Sequence, residues 1–221
     1  MSDKKLLDWK AIDTVFLDMD GTLLDLHFDN YFWQHHLPAA YAAKHSLTLA
    51  KAEEIVFTHF ADKQATLNWY CLDYWSKQLD LEVAALKLDV QHLIAVRPGA
   101  LEFLQYLHHL DKRVVLITNA HRDSLNLKMQ RTNMQSLFSR LISAHDFGHP
   151  KEAPAFWQTL AISEPYVPAR TLFIDDTHHI LDAAKNAGIA HVLGIAMPDS
   201  KGVEREHHAH HLIKDFSELW P

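Results

Sequence analysis

The stretch FLDMDGTLLD, residues 16–25, places Asp18, Asp20 and Asp25 within ten positions. Asp18 and Asp20 are separated by a single residue, close an apolar run, and are followed at once by Gly21 and Thr22. Like charges this close repel one another unless a cation sits among them. Three more polar groups stand at or beyond the ends of later apolar runs: Thr118-Asn119, Lys151 and Asp175-Asp176. Carboxylates, one lysine and one hydroxyl form a donor set that suits a hard divalent cation with oxygen ligands, Mg²⁺ above all.

The runs that carry these groups must bring them together. Residues 14–17, 113–117, 141–143, 171–174 and 191–195 are short and rich in β-branched or aromatic side chains, as expected of strands buried on both faces. Helical spacing recurs between the later runs, at residues 100–110, 123–133, 154–162 and 180–187. Asp123 and Thr177 are expected helix starts and Gly188 a stop. This alternation predicts an α/β fold, a doubly wound parallel (Rossmann-like) sheet with helices on both faces. Such sheets bind ligands at the carboxyl ends of their strands, where all four polar groups fall. Residues 28–95 break the alternation. Helical patterns at 31–44, 49–60, 66–78 and 83–94 fill them, and Arg97-Pro98-Gly99 marks the return. The expected division is a core of residues 1–27 and 96–221 with a helical cap, 28–95, inserted after the first strand.

Composition excludes several classes. The 221 residues, 48% hydrophobic and 22% charged, match an ordinary globular protein. No apolar run approaches the roughly 18 residues of a membrane span, and the N-terminal stretch has no signal-peptide pattern. A formal charge of -7 argues against a nucleic-acid polymer as partner. The six glycines form neither G-x-G-x-x-G nor G-x-x-x-x-G-K, so both common glycine-rich phosphate cradles are absent. The single cysteine, Cys71, rules out an internal disulfide and suits a reducing cytoplasm; a small buried apolar role is expected for it.

D-x-D-G-T at residues 18–22, Thr118-Asn119 after a strand, an isolated Lys151 and then Asp175-Asp176 resemble the motifs of the haloacid dehalogenase superfamily, across residues 15 to 195. FDNYFW, TLNWYCLDYW, TNAH and FIDD are further similar to the bacterial GMP/IMP 5'-nucleotidase subfamily. The resemblance implies a Mg²⁺-dependent phosphomonoesterase with Asp18 as nucleophile and Asp20 as general acid and base. It implies Mg²⁺ held by Asp18, the Asp20 carbonyl and Asp175, with Asp176 behind them. Lys151 and Thr118 would hold the transferring oxygens, with Gly21, Thr22 and Asn119 also facing the phosphate. His179 stands where many members carry an acidic residue. A sugar phosphatase, a phosphomutase and a catalytically silent binding module are the competing readings.

The core motifs handle only the phosphoryl group, so the cap must select the leaving group. Trp69 offers a face on which a purine would stack, and Asn68 or Asp73 would read its edge. A purine mononucleotide is therefore the expected partner. Of the 18 histidines, the run at residues 207–211 fits no defined zinc spacing, and His121 lies beside the site motifs.

Overall fold

The computed structural model describes residues 6–205 and 209–220. TVFL forms β1 (Thr14–Leu17), and all four of its residues are buried. The chain then enters a helical segment: α1 (His27–Tyr31), a π-helical turn at Phe32–His36, α2 (Leu37–His45), α3 (Leu49–Ala61), α4 (Leu72–Leu79) and α5 (Val83–Asp89). It returns through α6 (Ala100–His109), β2 (Arg113–Thr118), α7 (Arg122–Thr132) and β3 (Arg140–Ser143). It ends with α8 (Pro154–Ser163), β4 (Thr171–Asp175), α9 (His178–Asn186), β5 (His191–Ile195) and β6 (Leu212–Ile213).

All strand pairs are parallel, in the order β3-β2-β1-β4-β5-β6. Side chains alternate between the two faces of each strand, so each face feeds a separate core layer. Val15, Leu17, Leu116 and Ile174 pack with Phe103 and Leu107 of α6 and Leu125 of α7. Phe16, Val115 and Phe173 pack on the opposite face with Trp157 of α8 and Leu181 of α9. The sheet is doubly wound, as the alternation predicts. Among the described residues, no helix is long and apolar enough to cross a membrane.

The inserted helices build their own apolar cluster from Phe28, Phe32, Val56, Phe60, Trp75 and Val83. Here three expectations from the sequence are corrected. The helix expected over 66–78 is broken at Cys71, whose backbone is extended (φ -88°, ψ 112°); a 3-10 turn at Leu67–Tyr70 precedes it. The Trp75 indole donates to the Trp69 carbonyl at 2.9 Å, diverting that carbonyl from a helical ladder. Cys71 is half-buried rather than a core residue, and its sulfur caps α4 by accepting the Tyr74 N–H. The helix expected over 83–94 stops at Asp89 and continues as a 3-10 turn at Gln91–Leu93.

Two further details differ from the sequence reading. His121, not Asp123, caps α7. The two-residue strand β6 was not expected; a Cβ on Gly194 would sit 2.4 Å from the Leu212 side chain, so glycine lets β5 and β6 approach.

Phe103 anchors the C-terminal segment. It is fully buried and stacks on Phe216 with ring centroids 5.0 Å apart. Phe103→Ala should cost about 3–5 kcal/mol of stability, read as a lower urea midpoint. A midpoint equal to wild type would show that this packing contributes little.

Candidate active site

The carboxyl ends of β1, β2 and β4 open into one cavity of about 510 Å³. Leu17 pairs with Leu116 on one side and Ile174 on the other, so the residues that follow each strand meet at a common edge. Asp18, Asp20, Thr118, Lys151, Asp175 and Asp176 all line the cavity there.

Lys151 is the centre of this group. Its Nζ donates to Asp18 Oδ1 and Asp175 Oδ2, both at 2.6 Å, and to the Ile117 carbonyl at 3.2 Å. The loop that presents it is clamped twice: Asn119 Oδ1 accepts the Lys151 N–H, and the Trp157 indole donates to the Lys151 carbonyl, each at 2.8 Å. Burial disfavours the ammonium form, but the Asp175 and Asp18 carboxylates outweigh it and hold its pKa above the usual lysine range.

The carboxylates remain under-neutralised. Oxygen atoms of Asp18, Asp175 and Asp176 lie within 4.8 Å of one another. Burial first, and the Asp175 charge after it, push Asp18 up to about 6 against the pull of Lys151. Burial and Asp176 bring Asp175 to about 6; burial and Asp18 bring Asp176 to about 7. Lys151 bridges Asp18 and Asp175, and Arg205 lies 3.6 Å from Asp176 Oδ2; three buried oxygen donors beside these two cations fit a hard divalent cation. Asp176, expected behind the ligands, contributes to this cluster directly. Gly21 (φ +82°) packs against it; a Cβ there would lie 2.7 Å from the Asp176 carboxyl carbon.

Asp20 belongs to a second network that sequence reasoning missed. Lys128 of α7 donates to Asp20 Oδ1 at 2.6 Å and to Asp29 Oδ2 of α1 at 2.7 Å. Lys87 of α5 donates to Asp29 Oδ1 at 2.8 Å and lies 4.6 Å from the Phe32 ring centroid. Burial raises Asp20 most, and Asp29 and Asp18 add to it against Lys128, to about 7. For Asp29 burial is outweighed by Lys128 and Lys87, which hold it down to about 2. The available signal was Lys128 itself, a lysine on the same buried helix face as Leu125 and Met129.

Other expected site residues are placed differently. Thr118 lines the cavity and its Oγ1 accepts the Ala120 N–H at 3.0 Å, leaving the hydroxyl hydrogen available. Asn119 lines it too, but its amide is spent on Lys151 and on Glu152 Oε2 (2.9 Å), so it orients the lysine loop. The Gly21 N–H donates to the Leu24 carbonyl at 2.8 Å, and among the described residues the buried Thr22 hydroxyl has no hydrogen-bond partner. Neither residue lines the cavity. Asn68 and Asp73 are exposed and also lie outside the lining, because the break at Cys71 turns them outward. His179 is exposed.

On the side of the inserted helices the cavity is an aromatic wall of Trp33, Phe57, Phe60, Trp69 and Trp75, with the exposed amides of Gln34 and Gln64 beside it. In the histidine-rich run, His207 and His208 lie outside the described residues; His210 is buried and hydrogen-bonded to Asp182 at 2.7 Å.

The family model for haloacid dehalogenase-like hydrolases matches residues 12–188. The chain is 43% identical over 213 residues to the GMP/IMP nucleotidase YrfG of Escherichia coli (strain K12), covering 96% of each chain. Its fold is similar to that of a HAD phosphatase from Thermococcus onnurineus, with TM-score 0.78, 17% identity, and 94% of this chain and 96% of that one covered. It is also similar to L-2-haloacid dehalogenase from Xanthobacter autotrophicus, with TM-score 0.59, 20% identity, and 84% of this chain and 78% of that one covered.

The raised carboxylates set a pH dependence. Between about pH 4, where unfolded aspartates lose their protons, and about pH 7, the folded protein holds protons that the unfolded chain has released. Stability contributed by these groups is present below that window and lost as pH rises through it. Without divalent metal, the melting temperature should fall from pH 5 to about pH 7 relative to a sample with saturating Mg²⁺. Parallel curves with and without Mg²⁺ would show that the carboxylates do not bind the ion.

Proposed function

Because the chain belongs to the haloacid dehalogenase-like hydrolases, we propose that it is a Mg²⁺-dependent phosphomonoesterase acting on purine nucleoside 5'-monophosphates. The carrying observation is one continuous cavity that joins the Asp18–Asp20 floor to the aromatic cap wall. Its volume falls in the range of small-molecule sites, roughly 300–1,000 Å³. The 43% identical relative bears the name GMP/IMP nucleotidase, which supports GMP and IMP as substrates.

Asp18 is the nucleophile. Its carboxylate oxygen bonds to phosphorus while the ester P–O bond breaks, giving an aspartyl-phosphate. Asp20, poised near neutrality, donates its proton to the departing 5'-oxygen. It then accepts a proton from the water that attacks phosphorus, releasing phosphate and freeing Asp18. Lys151 fixes Asp18 and neutralises charge beside the reacting oxygens, and the Thr118 hydroxyl donates to a phosphate oxygen. The carboxylates of Asp18, Asp175 and Asp176, with the Asp20 carbonyl, would hold Mg²⁺, which supplies the positive charge that lets an anionic nucleophile approach an anionic ester. Residues 28–95 act as the cap over this core, and a single cysteine suits work in the cytoplasm.

The test is Mg²⁺-dependent phosphate release from a panel of nucleotides and sugar phosphates. GMP and IMP should lead, and Asp18→Asn should abolish turnover while leaving the fold intact. Sugar phosphates ahead of every nucleotide would remove the substrate assignment; wild-type activity in Asp18→Asn would remove the mechanism.

Base recognition passes from Asn68 and Asp73 to Gln34 and Gln64. Trp69 or Trp33 offers the stacking face, and a glutamine amide both accepts from N1–H and donates to O6 of a 6-oxopurine. Gln64→Leu should lower kcat/KM for GMP and IMP about 2- to 10-fold, the value of one hydrogen bond, and leave acetyl phosphate hydrolysis unchanged. Equal losses on both substrates would exclude a role in reading the base.

A further inference from the structure

Beside the cavity mouth, three side chains from three separate elements converge. Cys71 is the N-cap of α4 in the cap, His121 is the N-cap of α7, and His145 lies in the turn Ala144–Asp146 after β3. One ligand atom from each lies within 4.8 Å of the other two. The two imidazoles meet edge-to-face with centroids 5.1 Å apart. The phosphoryl chemistry uses none of these residues.

His145 is the informative member. Its Nε2 is buried and has no hydrogen-bond partner among the described residues, a costly state for a nitrogen lone pair. The ring is hydrogen-bonded to the main chain of Asn119, which orients it, and burial followed by the His121 charge lowers its pKa to about 4. At neutral pH it is an uncharged imidazole with a fixed lone pair, the form that ligates metals. His121 is flanked on both sides: Nε2 lies 3.6 Å from Asp73 Oδ2 and Nδ1 lies 3.6 Å from Asp123 Oδ2. With Nε2 on the metal, Nδ1 would carry the proton and donate to the Asp123 carboxylate in place of accepting the Asp123 N–H. That pairing is the usual support of a ligating histidine.

We propose that Cys71, His121 and His145 form a zinc site that ties the cap to the core. Thiolate and imidazole donors select zinc over magnesium, which prefers oxygen, so the site is chemically distinct from the aspartate cluster. Tetrahedral zinc bonds place such donors roughly 3.3–3.8 Å apart, which small side-chain rotations reach from the present spacing. Binding releases the Cys71 thiol proton to solvent as the Zn–S bond forms. The occupied site would fasten α4 to the loops after β2 and β3, at the rim where substrate enters.

The experiment uses the full-length protein with saturating Mg²⁺, so that the aspartate cluster is filled. Titration with Co²⁺ should give a thiolate-to-cobalt charge-transfer band at one equivalent, displaced by Zn²⁺, and Zn²⁺ should raise the melting temperature. Cys71→Ser should lose the band. His145→Gln should weaken zinc binding by about 10-fold or more, since even outer partners of a ligand are worth that much. Circular dichroism matching wild type shows that both variants are folded. His210→Ala removes the separate His178, Asp182 and His210 cluster and should leave binding unchanged. Absence of the thiolate band, undiminished zinc binding in His145→Gln, or loss of binding in His210→Ala would each overturn the proposal. None of these readouts depends on phosphatase activity.

Discussion

The structure depends on placing several buried carboxylates beside too few cations. Asp18, Asp175 and Asp176 are buried at one edge of the sheet, with Lys151 as the ammonium between two of them. Removing charges from water is costly unless each is paired and hydrogen-bonded. Lys151 meets that condition because its three donors find three acceptors. The surrounding loop follows from this need: Asn119 and Trp157 hold the Lys151 backbone so that Nζ reaches back under β1. The charge left over raises these aspartates above the usual carboxylate range.

The same constraint joins the inserted helices to the sheet. Asp20 cannot share Lys151, so Lys128 serves it and also serves Asp29 of α1, which Lys87 completes from α5. Aromatic faces of Phe28, Phe32 and Trp33 surround the Lys87 ammonium at 4.6–5.3 Å. A buried chain of alternating charges therefore runs from the proposed acid to the middle of the cap. Breaking any one link would leave a buried charge without its partner, which costs far more than a surface ion pair gains.

Fold alone does not decide the chemistry. A dehalogenase and a phosphatase both share this architecture at under a quarter identity. In this chain the cavity holds a buried Asp20 carboxyl raised to about 7, and a wall of aromatic rings with amides at its edge. The fold's contribution is the register that aligns three strand ends at one cavity floor.

The sequence by itself determined the core strands and the identity of the cavity floor. Strands such as Thr14–Leu17 and His191–Ile195 are legible because burial on both faces demands continuous β-branched or apolar runs. Asp18, Asp20, Lys151 and Asp175 were legible because charges at the ends of such runs need a reason to be there. Only the tertiary structure decided the rest. The Lys128–Asp29 pair spans 99 positions in the chain, and neither residue has a local pattern that names its partner. Strand β6 is two residues long, too short for a period-2 signal. Asn68 and Asp73 follow helical spacing in sequence, yet the Trp75–Trp69 hydrogen bond and the extended Cys71 turn both out of the cavity. Local periodicity reports which face of an element is buried. Which charges meet across elements is set by packing, and packing is a property of the whole chain.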